Sequence, residues 1–115
     1  APSPPPPAPR RAVADSVALV IGVGNIGGEV VRQLREKGCK VLTADVAEGH
    51  DFRCDMHDIA SVAALGAAIP GGVDHVVICA GHSSFGDVSR FTGAAWYDNF
   101  ENKLLCVSRT AVALI

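Results

Sequence analysis

Apolar and polar positions along this chain fall into blocks that predict strands and helices in turn. Val17-Ala18-Leu19-Val20-Ile21 is an uninterrupted apolar run, the pattern of a strand covered on both faces. From Asn25 to Lys37 the period changes. Ile26, Val30, Val31 and Leu34 share one helical face, the charged residues from Glu29 to Lys37 take the other, and Gly38 is a natural stop. Lys40 to Ala44 predicts a second strand, which ends at Asp45. The unit has roughly the thirty-residue length of a right-handed βαβ crossover.

A polar stretch, Glu48-Gly49-His50-Asp51, precedes a short third strand predicted around Phe52 to Cys54. Asp58 is placed to cap a modest helix from Ile59 to Ala68, and Pro70-Gly71-Gly72 ends it. Val73 to Cys79 predicts a fourth strand, followed by a loop from Ala80 to Gly86. Thr92 then caps one long final helix, whose apolar stripe runs Trp96, Phe100, Leu104, Val107, Ala111 and Leu114. The order implies an α/β fold, a doubly wound parallel sheet with helices on both faces that stops after four strands.

Folding is expected over residues 16–115, with 1–15 a disordered proline-rich tail. Pro6-Pro7-Ala8-Pro9-Arg10-Arg11 has the PxxPxR form of an SH3 ligand, but a solvated linker or the remnant of a transit peptide accounts for it as well. Ala1 in place of methionine is expected of a processed chain or a fragment. At 115 residues, 49% hydrophobic, the chain is long enough to bury one core. Its net charge of −2 and the lack of any basic cluster argue against a nucleic-acid partner, and no apolar run is long enough for a membrane span. The four cysteines and four histidines are scattered, which argues against a metal site. Reduced, structural thiols favour a cytoplasmic setting, with an organelle as the alternative.

Chemistry concentrates where the first strand meets the first helix. Gly22-Val23-Gly24-Asn25-Ile26-Gly27 has the GxGxxG spacing that lets a strand turn, a pyrophosphate approach the backbone and a helix pack close. The amides and dipole of that helix end favour an anion. Asp45 ends the second strand where a carboxylate can accept from an adenosine ribose and repel a 2′-phosphate, so NAD is expected over NADP. Asp55 is either an acceptor for the adenine amino group or a helix cap, a role Asp58 also fits. Cys79, Ala80 and Gly81 end the fourth strand with side chains small enough for a ribose or nicotinamide to lie against the backbone. His82, Ser83 and Ser84 are read as polar loop groups, since no orienting acid stands near them. Lys103 either snorkels to the surface or points into the crevice.

From Ala18 to Ile115 these motifs resemble the N-terminal half of the short-chain dehydrogenase/reductase family. The resemblance rests on ALVIGVGNIGGEVVRQL, Asp45, Cys54-Asp55-Met56, Ile78-Cys79-Ala80-Gly81, and Trp96 with the helix through Asn99 to Leu105. It implies a Rossmann-type fold that binds NAD through Gly22 to Gly27, Asp45, Asp55, Met56, Cys79, Ala80 and Gly81. The chain departs from the family pattern in several places. Its glycine loop is one residue shorter, Asn25 stands for a glycine and Cys79 for an asparagine, and Lys103 lies at or one place from the family's catalytic asparagine, with Asn102 beside it. The family's Tyr-x-x-x-Lys pair is absent, because Tyr97 is the only tyrosine and Glu101 lies four residues on. The expectation is therefore the cofactor-binding part of a divergent oxidoreductase acting on a carbonyl or alcohol substrate. The alternatives are a non-catalytic nucleotide-sensing or interaction module and an inactive truncation. The last helix, which in this family packs against a second subunit, is the candidate homo-oligomer surface.

Overall fold

A computed structural model describes residues 2–6, 12–80, 88–90 and 92–114. Gly81, the His82-Ser83-Ser84 group and most of the PxxPxR segment lie outside the described residues. The strands are β1 (Val17–Ile21), β2 (Lys40–Asp45), β3 (Phe52–Arg53) and β4 (His75–Ile78). The helices are α1 (Asn25–Glu36), α2 (Ile59–Ala68), α3 (Gly93–Phe100) and α4 (Cys106–Leu114), with a π turn, Glu101–Leu105, between the last two.

All strand pairs are parallel and the sheet order is β3-β2-β1-β4. After β1 the chain moves to one side, through α1, to β2 and β3. It then returns through α2 to place β4 on the other side of β1. The order therefore reverses between β1 and β4, and a crevice opens outside the carboxyl ends of the strands at such a point.

β1 is central because both of its faces are apolar. Ala18 and Val20 pack under α1 with Val31, Cys39 and Val41. Leu19 and Ile21 face the opposite layer with Ala44, Cys54, Met56, Val62, Leu65 and Cys106. Burying each large aliphatic side chain here contributes about 1.5–3 kcal/mol. Helix ends follow the local signals. Gly38 takes φ +83° just past the end of α1, and Asp58 accepts from the Ala60 N–H at 3.0 Å to cap α2.

The structure departs from the sequence pattern at both ends of the fold. Val13–Asp15 forms a 3-10 turn inside the expected tail, tied down where the Ser16 hydroxyl donates to the Val13 carbonyl at 2.7 Å. The final helix runs without a gap over residues 93–114, capped by Thr92 as expected, but carries a π turn in its middle. Its inward positions from the π turn onward are Asn102, Cys106 and Thr110, whereas Trp96, Phe100 and Leu104 are exposed. The extra residue of the π turn rotates the two halves relative to each other, so one uninterrupted helical period cannot place both correctly. Only the later stripe residues Val107, Ala111 and Leu114 are half-buried as expected.

The close approach of α1 to the turn after β1 leaves no room for a methyl group. A Cβ on Gly27 would lie 1.9 Å from the Gly22 carbonyl oxygen. Gly27→Ala should therefore lower unfolding stability by about 2 kcal/mol or more, read by urea denaturation. A Cβ on Gly28 meets nothing within 4 Å, so Gly28→Ala should raise stability by about 0.5–1 kcal/mol in the same assay. Equal effects of the two substitutions would refute this packing account.

Candidate dinucleotide-binding groove

The site is built from the ends of three strands. Gly22 leaves β1 at φ +87°, a left-handed conformation that favours glycine, and its N–H donates to the Ala44 carbonyl of β2 at 2.8 Å. On the other side, the N–H groups of Cys79 and Ala80 both donate to the Ile21 carbonyl, at 2.8 and 3.0 Å. A Cβ on Gly22 would come within 2.3 Å of the Ala80 nitrogen, so the β1 turn and the end of β4 touch backbone to backbone. Gly24 precedes α1 without capping it through a side chain, and the first helical bond runs from the Gly28 N–H to the Gly24 carbonyl at 2.8 Å. The preceding amides of that turn are aimed at whatever stands before the helix.

Asp45 fixes this loop in place. Its Oδ2 accepts from the Val23 N–H at 2.7 Å, and its Oδ1 from the Ala47 N–H at 3.0 Å. One carboxylate thus ties the glycine loop to the segment after β2. The N–H donors of Ala47 and Val23, with a smaller contribution from His50, hold the Asp45 carboxyl below its ordinary value, against the opposing effect of partial burial. Each oxygen keeps a second acceptor direction, so these bonds are compatible with accepting from ribose hydroxyls.

A groove of about 360 Å³ crosses the carboxyl ends of the strands. It gathers Gly22, Gly24, Asp45, Asp55, Met56, Cys79 and Ala80 from the sequence expectation. Cys54 of the Cys54-Asp55-Met56 match also lines it, as do Ile21, Val46 and His57, which the sequence reading did not place there. His57 adjoins the Asp55-Met56 pair, so adjacency to that motif was the available signal. Asp55 receives the His57 N–H on its own carboxylate at 2.9 Å, while its N–H donates to Ser61 Oγ at 2.9 Å. Capping of α2 falls to Asp58, which removes the competing explanation for Asp55. Burial pushes the Cys54 thiol up, which makes it a poor nucleophile.

Other expected site residues stand outside the groove. Val23 acts through its N–H on Asp45, and Gly27 is buried beneath the turn. Asn25 and Ile26 line a separate shelf along α1, where Ile26 is 75% exposed. Lys103 is exposed on the π turn, and the buried neighbour is Asn102, at 3% exposure. Among the described residues no group of three or more metal-ligating side chains comes together, and no helix is long and apolar enough to cross a membrane.

No protein-family model matches the chain, and no curated protein matches it. Solved structures do. The protein lin1944 from Listeria innocua superimposes with a TM-score of 0.76 at 26% identity, over 84% of this chain and 48% of its own. The ligand-free aldohexose dehydrogenase of Thermoplasma acidophilum gives a TM-score of 0.78 at 21% identity, over 89% of this chain and 44% of its own. The fold is Rossmann-like. The chain spans about half the length of these matched structures.

Asp45 sets a pH dependence whose sign follows from its lowered pKa. Its stabilisation is complete above the unfolded value near 3.8 and is lost as pH falls through the lower folded value. Between about pH 5 and pH 2, the unfolding free energy of the native chain should therefore fall more steeply than that of Asp45→Asn. Parallel pH profiles for the two chains would contradict the role given to this carboxylate.

Proposed function

We propose that this chain is the NAD-binding part of an oxidoreductase related to the short-chain dehydrogenase/reductase family. The observation that carries the proposal is the Asp45–Val23 bond. It joins the residue expected at the ribose to the loop expected at the pyrophosphate, along one wall of the groove. In this reading the pyrophosphate lies on the amides after Gly22 and Gly24. The adenosine ribose donates to Asp45, and adenine sits against Asp55 and Met56. Cys79 and Ala80 would offer small side chains at the nicotinamide end. A carboxylate at Asp45 disfavours a 2′-phosphate, which supports NAD rather than NADP. The dehydrogenase among the matched structures supports a nicotinamide cofactor.

When bound, the nicotinamide would exchange a hydride with a carbonyl or alcohol carbon. The residues of this chain would supply binding and orientation. Acid–base chemistry would have to come from groups beyond them, since Tyr97 is followed four residues later by Glu101 and not lysine. That gap also supports a second reading, a module that senses a nucleotide without turning it over.

Gly24 gives a clean test because a Cβ there meets nothing within 4 Å. Gly24→Asp should leave the fold intact while placing a carboxylate where the pyrophosphate is expected. Calorimetric titration with NADH should show saturable binding to the native chain, with binding to Gly24→Asp weakened at least tenfold. NADPH should bind the native chain more weakly than NADH. Identical heats for native and variant chains would reject the proposal.

We also propose that Trp96, Phe100 and Leu104, spaced four apart and 44%, 57% and 54% exposed, meet a second copy of the chain. Sedimentation velocity should then show a concentration-dependent dimer that Phe100→Glu dissociates. A monomer at every concentration would exclude it.

A further inference from the structure

A π turn is a rare insertion of one extra residue into a helix. In Glu101–Leu105, the Cys106 N–H bonds to the Glu101 carbonyl. One side-chain contact spans the turn, from Glu101 at its start to Arg109 on α4. Glu101 and Arg109 are eight residues apart. On a regular α-helix such residues would point about 80° apart and lie about 12 Å along the axis. The added residue of the π turn reduces this to the spacing of seven helical residues, about 20° and about 10.5 Å. In that register Arg109 Nη1 donates to Glu101 Oε2 at 3.3 Å, and Nη2 donates to Oε1. The pair is partly shielded, with side-chain exposures of 38% for Arg109 and 19% for Glu101. His57, from the groove wall, brings its Nδ1 to 3.6 Å from the same carboxylate.

The element that would turn with the register is α3. Beyond the π turn, Cys106 and Thr110 are fully buried and anchor α4, whereas α3 has no buried residue. Removing the extra residue would rotate α3 by about 100° and leave α4 where it is. We propose that the Glu101–Arg109 pair is a latch that selects the π register and so fixes the orientation of α3, with His57 tying the latch to the groove wall.

Trp96, the only tryptophan in the chain, lies on α3 and reports its orientation. In the full-length chain, Arg109→Leu should shift the Trp96 emission maximum while alkylation of buried Cys39 and Cys54 stays as slow as in the native chain. Exchanging the charges in Glu101→Arg/Arg109→Glu should restore the native emission. An unshifted maximum in Arg109→Leu, or a shift that the exchanged pair does not reverse, would overturn the proposal. So would faster alkylation of Cys39 and Cys54, because the pair would then support the whole core. If Arg109→Leu does not fold, Arg109→Lys keeps the charge on a shorter side chain. It should show a smaller shift in the same direction, and a native spectrum from it would count against the latch.

Discussion

Where α1 passes the turn after β1, backbone lies against backbone. The Gly22 carbonyl occupies the space a Gly27 side chain would need, and the end of β4 occupies the space a Gly22 side chain would need. This contact is steric and has no tolerance, because the interfering atoms belong to the main chain and cannot rotate away. Much of the carboxyl end of the sheet depends on it. The position of α1 sets where its first amides point, the β1 turn sets where Val23 meets Asp45, and the approach of Ala80 closes the groove on the β4 side. The hydrogen bonds there act within a shape already fixed by exclusion.

Asp45 shows how one side chain can order a loop and, under the proposed function, stand ready for a ligand. Two backbone N–H groups hold its carboxylate, which keeps it charged and oriented before any ligand arrives. Ordering a recognition group in advance lowers the entropy a ligand must overcome on binding. Glu101, at the other end of the chain, has a comparable place. In sequence it occupies the position of the lysine in a Tyr-x-x-x-Lys pair starting at Tyr97, but in the structure it belongs to a contact with Arg109 and His57.

The parts of the fold that could be read in the sequence are those governed by local rules. The apolar run of β1, the glycine spacing, the Gly38 stop and the Asp58 cap each have a short-range cause, and each stands in the structure as expected. The groove was legible in part, because Gly22, Gly24, Asp45, Asp55, Met56, Cys79 and Ala80 follow the strand ends in order, whereas Asn25 and Ile26 line a separate shelf. The π turn was not legible. It depends on Glu101 meeting a residue eight positions away, and no apolar period records an inserted residue. For the same reason Asn102, a polar side chain at 3% exposure, took an inward position that a stripe of Trp96, Phe100 and Leu104 would not assign to it. The contact of His57, itself exposed, with Glu101 was not legible because the partner lies far along the chain.

The placement of β1 also bears on the order in which the chain can assemble. Its first neighbour, β2, follows after a single helix, with Ser16 and Cys39 in contact across 23 residues. Its second neighbour arrives much later. The Val17 N–H reaches the Asp74 carboxylate only across 57 residues of chain. Closing so long a loop is slow, and the exposed edge must wait for it. β1, the most apolar of the described strands, thus gains its second neighbour well after its first. During that interval it is the segment most open to pairing with the wrong chain.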